Sequence, residues 1–233
     1  MLPASTRGRA ALALLLCVPA PTIGSTIAYG LWPGFGGQAV YMALRLWLAA
    51  FPLLWLLRVE RGRVSFSPLA PERRREAWIG ALVLSALIAV AIVGAWELVG
   101  REWFEVESLR EAARQSGLGT KAGYLAFGAF ISFGNSLLEE YVWRWFVQRR
   151  CEELAGSLAA VPLAALFFTL HHVVTFTLEF GLRAGLLASL GVFLAACIWS
   201  ACYRRWRSIW PGWLTHVVAD VVGLAIGWRI LFG

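Results

Sequence analysis

SLLEEYVWRW, residues 136–145, decides how the rest of this chain is read. It lies inside a run that is otherwise apolar enough to cross a membrane, yet it places Glu139, Glu140 and Arg144 where hydrocarbon belongs. A charged side chain at mid-bilayer costs roughly 2.5–3.5 kcal/mol on insertion scales, so three left unpaired would cost about 8–10 kcal/mol. Partners are therefore required. On an α-helix Glu140 and Arg144 stand four apart on one face, where a carboxylate and a guanidinium meet. Glu139 is rotated by about 100° from Glu140 and is expected to face a different neighbour.

The flanking chain supports a membrane setting. Of 233 residues, 59% are hydrophobic and 15% are charged, so apolar runs of about twenty residues recur along the chain. The expected fold is all-α, a polytopic membrane helix bundle of about seven transmembrane helices. The spans are expected near 9–31, 35–57, 77–100, 122–148, 157–178, 184–203 and 209–231. They form one integral membrane domain: residues 1–121 supply the first three helices and an outer-surface connection, and 122–233 a motif-bearing core. The net charge of +7 does not indicate nucleic acid, because the arginines fall in short clusters between apolar runs.

Counted from a cytoplasmic N-terminus, the inside segments carry thirteen basic residues and the outside segments six. That asymmetry predicts an integral protein of the plasma membrane with the N-terminus cytoplasmic and the C-terminus outside. The first segment, Arg7 and Arg9 before AALALLLCVPA, reads as a span interrupted by Pro19 and Pro21, with a cleaved signal peptide as the alternative. The 101–121 connection reads either as a helix lying on the outer surface or as a solvated loop. Trp32, Trp55, Trp78, Trp103, Trp206 and Trp210 fall near span ends and read as interfacial anchors. Four cysteines show no metal spacing and read as inert thiols. Arg45, inside the second span, either snorkels or pairs with one of the acids.

The remaining polar anomalies lie in later spans. ALFFTLHHVV (165–174) sets Phe168 and His172 four apart with His171 adjacent, and WLTHVVADVV (213–222) sets His216 and Asp220 four apart on one face. All three histidines of the chain lie in expected spans. Intramembrane ionisable groups face one another or a wet cavity, so these residues and the 139–144 charges are expected to converge. Depth agrees. Glu139 lies roughly 13 Å and His216 roughly 10 Å from the inner ends of their spans. His172 lies roughly 15 Å deep if Pro162 opens the fifth span, against about 22 Å for a start at 157.

EEYVWR (139–144), FTLHH (168–172) and HVVAD (216–220) together resemble the EExxxR, FxxxH and HxxxN/D motifs of the CAAX prenyl protease type II and bacteriocin-processing (Abi, CPBP) family of intramembrane proteases. The three motifs occur in the family's order, each on an expected helix, and the resemblance covers roughly 122–231. It implies an intramembrane endopeptidase whose site residues are Glu139, Glu140, Arg144, His172, His216 and Asp220. Phe167 and His171 also satisfy FxxxH, so the motif histidine is His172 or His171, with His172 preferred. Asp220 stands where many members have Asn.

Peptide hydrolysis needs a base for water, and a carboxylate in a low-dielectric pocket is a stronger base than one in water. Glu139 is the candidate base, His172 and His216 the candidates for oxyanion stabilisation, and Glu140 is expected to be held by Arg144. The metal-dependent alternative is a zinc ion held by Glu139, His172 and His216. The expected partners are the lipid bilayer and a peptide or protein substrate, such as the C-terminal tail of a membrane-anchored or exported protein. Competing readings are a non-catalytic immunity or scaffold membrane protein, or a small transporter using the same polar groups.

Overall fold

The structure, a computed structural model, describes residues 4–65 and 67–233, and among them every regular element is helical. The elements are α1 (Thr6–Leu31), α2 (Phe35–Glu60), α3 (Pro71–Trp103), a short α4 (Val106–Gln115), α5 (121–155), α6 (160–180), α7 (182–206) and α8 (Trp210–Phe232). Five helices are long and apolar enough to cross a bilayer: α1, α2, α3, the continuous Ala160–Trp206 stretch that contains α6 and α7, and α8. The expected count of seven treats α6 and α7 as separate spans and adds α5. That helix falls outside the five, since Asn135, Glu139, Glu140 and Arg144 lower its hydropathy.

The 47-residue Ala160–Trp206 stretch would measure about 70 Å as one straight helix, more than twice the hydrocarbon thickness. Gly181 breaks it, with φ 77° and ψ 168°, a backbone region essentially confined to glycine. An added Cβ there would meet nothing within 4 Å, so the constraint is purely conformational. Gly181→Ala is therefore expected to destabilise the protein by about 1–3 kcal/mol, read as a lower unfolding midpoint in detergent with no change in neighbouring packing.

α5 is the central post. Val142 to Gln148 are all buried, as expected of a helix surrounded on every side. Trp143, Phe146, Phe168, Cys151, Trp199 and Tyr203 belong to the main core cluster around it. Its backbone is widened into π-helical turns at Phe130–Asn135 and Glu140–Gln148, a form that recurs at functional sites. Two side chains one turn apart, Arg144 and Gln148, tie α5 to α7 by donating to the carbonyls of Ala196 (3.3 Å) and Ser200 (2.9 Å). Large apolar residues face outward instead, among them Leu46, Leu82, Val90, Leu98 and Leu190, as a lipid-facing surface requires.

Segments assigned to one side by their charge touch one another. Arg7 donates to the Leu154 carbonyl, Arg150 pairs with Glu60, Arg205 with Glu76 and Arg207 with Glu152. These contacts join the starts of α1 and α3 to the ends of α2, α5 and α7. At the opposite side Arg110 of α4 donates to the Ile230 carbonyl and Tyr124 to the Leu224 carbonyl. The 101–121 connection thus contains a helix that packs against α8. Trp32, Trp78 and Trp103 are exposed as interfacial anchors should be, but Trp55 and Trp206 are buried. Each of those two turns its indole N–H to an acid, Glu60 and Glu76 respectively, so each serves core and border together. The cysteines are all free thiols.

Candidate active site

Glu139 and Glu140 sit where α5 passes from an α-helical turn into its second π-helical segment. Both carboxylates approach one imidazole. His216, projecting from the second turn of α8, lies with Nδ1 3.1 Å from Glu140 Oε1 and Nε2 3.5 Å from Glu139 Oε2. An ionised carboxylate has no proton to give, so Nδ1–H is the donor to Glu140. The expectation that adjacent glutamates face different neighbours holds only in part, because an imidazole offers nitrogens on two edges and fits between them. Asp220 Oδ1 stands 4.0 Å from His216 Nε2, one turn along α8, and its Oδ2 has no hydrogen-bond partner.

Glu140 is fully buried and lies 3.3 Å from Arg144 Nη1, an ion-pair distance without hydrogen-bond alignment. The Arg144 guanidinium lies against two rings that meet edge to face, 4.9 Å from the centre of Phe168 and 5.1 Å from that of Trp199. Trp199 in turn stacks on His216, with centroids 3.8 Å apart and planes 14° apart. The close fit of α8 to the acid depends on Gly212, where an added Cβ would come within 2.8 Å of Glu140 Oε2.

The third wall comes from α6. Phe168, 1% exposed, contacts the rings of His171, His172 and His216, which makes it the hub between the motif histidines. Its own helical partner at i+4 is His172, with ring centroids 4.8 Å apart. His171 stacks against Trp143, and the two adjacent histidine rings lie 4.1 Å apart. Glu139, His171 and His172 each present a ligand-type atom within 4.8 Å of the others. His171 Nδ1 and His172 Nε2 are buried without a hydrogen-bond partner. These three residues form the grouping, among those described, from which a metal could be held; His216 is engaged instead by Glu140.

All six expected site residues thus lie around one centre, and Glu139 contacts or neighbours every histidine of the chain. Motif reading alone missed Trp199, Phe168 as a hub of contacts on all three histidines, Gly212, and Asn135. Trp199 lies only four residues inside the end of the expected span 184–203, so nothing in the sequence set it apart from an interfacial anchor. Arg45 pairs with no acid: it donates to Asn135 Oδ1 and, at 3.0 Å, to the Tyr41 hydroxyl.

A polytopic, all-helical membrane protein that gathers buried acids and imidazoles from α5, α6 and α8 defines a class, the integral membrane protein with a polar reaction centre inside its bundle. Residues 121–222 match the family model described as type II CAAX prenyl endopeptidase Rce1-like, so over that stretch the chain is similar to the CAAX-type intramembrane proteases. The matched stretch begins with α5 and ends just past Asp220, so it contains every motif residue. Comparison with curated proteins and with solved structures gives no match.

Proposed function

We propose that this protein is an intramembrane endopeptidase that hydrolyses a peptide bond of a membrane-associated substrate, near its C-terminus, with a water activated by Glu139. The observation that carries this reading is the placement of the Glu139 carboxylate against His216 Nε2 on one side and the His171–His172 pair on the other. A water between these groups has a base at Glu139 to take its proton and imidazoles beside the carbonyl oxygen that becomes an oxyanion. Glu140 and Arg144 act through His216. The carboxylate fixes which imidazole nitrogen carries hydrogen, and the guanidinium supplies the balancing charge in a site too buried for solvent to do so.

Glu139, His171 and His172 also fit a zinc ion, on the strength of two orphaned imidazole nitrogens next to a carboxylate. When bound, zinc would supply Lewis acidity to water or carbonyl. The roles of His216, Glu140 and Arg144 are the same in either case. The clustering of basic residues on one side of the bundle supports a cytoplasmic N-terminus in the plasma membrane.

The test is cleavage of a membrane-anchored peptide by the purified protein in lipid nanodiscs, with metal content measured on the same sample. Parent protein is expected to release a C-terminal fragment, and His216→Ala to lower the rate about 10²–10⁴-fold. A parent that cleaves no peptide of a diverse anchored set would remove the peptidase reading and leave a scaffold role.

A further inference from the structure

Arg45 stands outside the stretch that matches the protease family, in the middle of α2, and the mechanism above does not use it. It is half-buried. Its guanidinium has five N–H donors, of which one goes to Tyr41 and one to Asn135, both neutral groups. Among the described residues it makes no ion pair. A cation inside a membrane span that makes no direct ion pair with the protein can take an anion from a bound molecule.

Its position says which anion. Asn135, which holds the guanidinium, precedes Glu139 by four residues on α5, so Arg45 lies about one helical turn, roughly 6 Å of rise, from the candidate base. An extended peptide covers roughly 3.3 Å per residue. A chain with its scissile bond at Glu139 therefore reaches Arg45 about two residues further on. At that distance a substrate cut near its end presents its terminal carboxylate, and Arg recognises carboxylates through a two-pronged fork of donors.

We propose that Arg45, oriented by Asn135 and Tyr41, is a specificity residue that binds the free C-terminal carboxylate of the substrate and so sets the cut a short distance from the chain end. The inference rests on the peptidase reading, because it takes the scissile bond to lie at Glu139. Arg45 in this role touches substrate but takes no part in proton transfer.

The experiment compares two anchored peptides that differ only in ending as carboxylate or carboxamide, assayed for kcat/KM with parent, Arg45→Gln and Arg45→Lys. Parent is expected to prefer the acid by about 10–100-fold, as a charge-assisted pair in a low-dielectric site should. Arg45→Gln is expected to reduce that preference to about threefold or less, chiefly by raising KM for the acid, with the amide little changed. Arg45→Lys should keep most of the preference, since it keeps the charge. An acid-to-amide ratio that is equal in parent and Arg45→Gln overturns the proposal, and so does an equal fall for both peptides, which marks a structural role. Binding of both peptides to Glu139→Gln protein separates the two levels. Acid-selective binding that requires Arg45, without cleavage by parent, sinks the peptidase reading and keeps the carboxylate site.

Discussion

Glu139→Gln is expected to lower kcat/KM for an anchored peptide by about 10²–10⁴-fold while leaving the unfolding midpoint close to that of the parent. Glutamine preserves the volume of the side chain and can still hydrogen-bond to His216, but it cannot take a proton from water. The site makes this substitution mild for folding. Glu139 is engaged by His216 Nε2 at 3.5 Å and forms no ion pair with Arg144, whose contact is with Glu140. Activity and stability should therefore separate at this position. Retained cleavage in Glu139→Gln would transfer the base role elsewhere. Asp220 is then the candidate, because its carboxylate faces the same imidazole nitrogen from 4.0 Å.

The sequence carried the polar part of this site well because membrane insertion makes every buried charge conspicuous. Glu140 and Arg144 pair as their spacing demands, and the three histidines converge as isolated polar groups in lipid must. What it could not carry is apolar and geometric. Trp199 and Phe168 look like any other membrane aromatic, and only the packing of α6, α7 and α8 shows that both lie against Arg144 and contact His216. The widened turns of α5 shift each residue's direction from ideal α-helical values, which is one reason why adjacent glutamates can address one ring. The expected spans 157–178 and 184–203 already leave a break between them, and the structure makes it with a single residue, Gly181, at positive φ. Asn135 could have been singled out, as an amide within a span needs a partner for the same reason a charge does, and that partner is Arg45.

The second large effect concerns stability. Arg144→Ala is expected to destabilise the protein by about 3–5 kcal/mol, the usual cost of removing one partner from a buried pair. The residue is 1% exposed and Glu140 is fully buried, so neither charge can turn to solvent when the other is lost. Deletion also empties the space beside Phe168 and Trp199 and removes the donor to the Ala196 carbonyl, which loosens α5 from α7. Lysine is a poor substitute, because an ammonium lacks the planar face and the five donors of a guanidinium, and Arg144→Lys should recover only part of the loss. The decisive comparison is Glu140→Gln combined with Arg144→Met, which removes both charges and refills the volume. If the cost of Arg144→Ala arises from a stranded carboxylate, the double variant should unfold at a midpoint well above that of Arg144→Ala, although it lacks the same cation. It should still be inactive, since His216 then has no anion to orient its Nδ1–H. Equal midpoints for the two variants would locate the energy in the contacts of Arg144 with Phe168 and Trp199 instead, and would make the ion pair a requirement of chemistry alone.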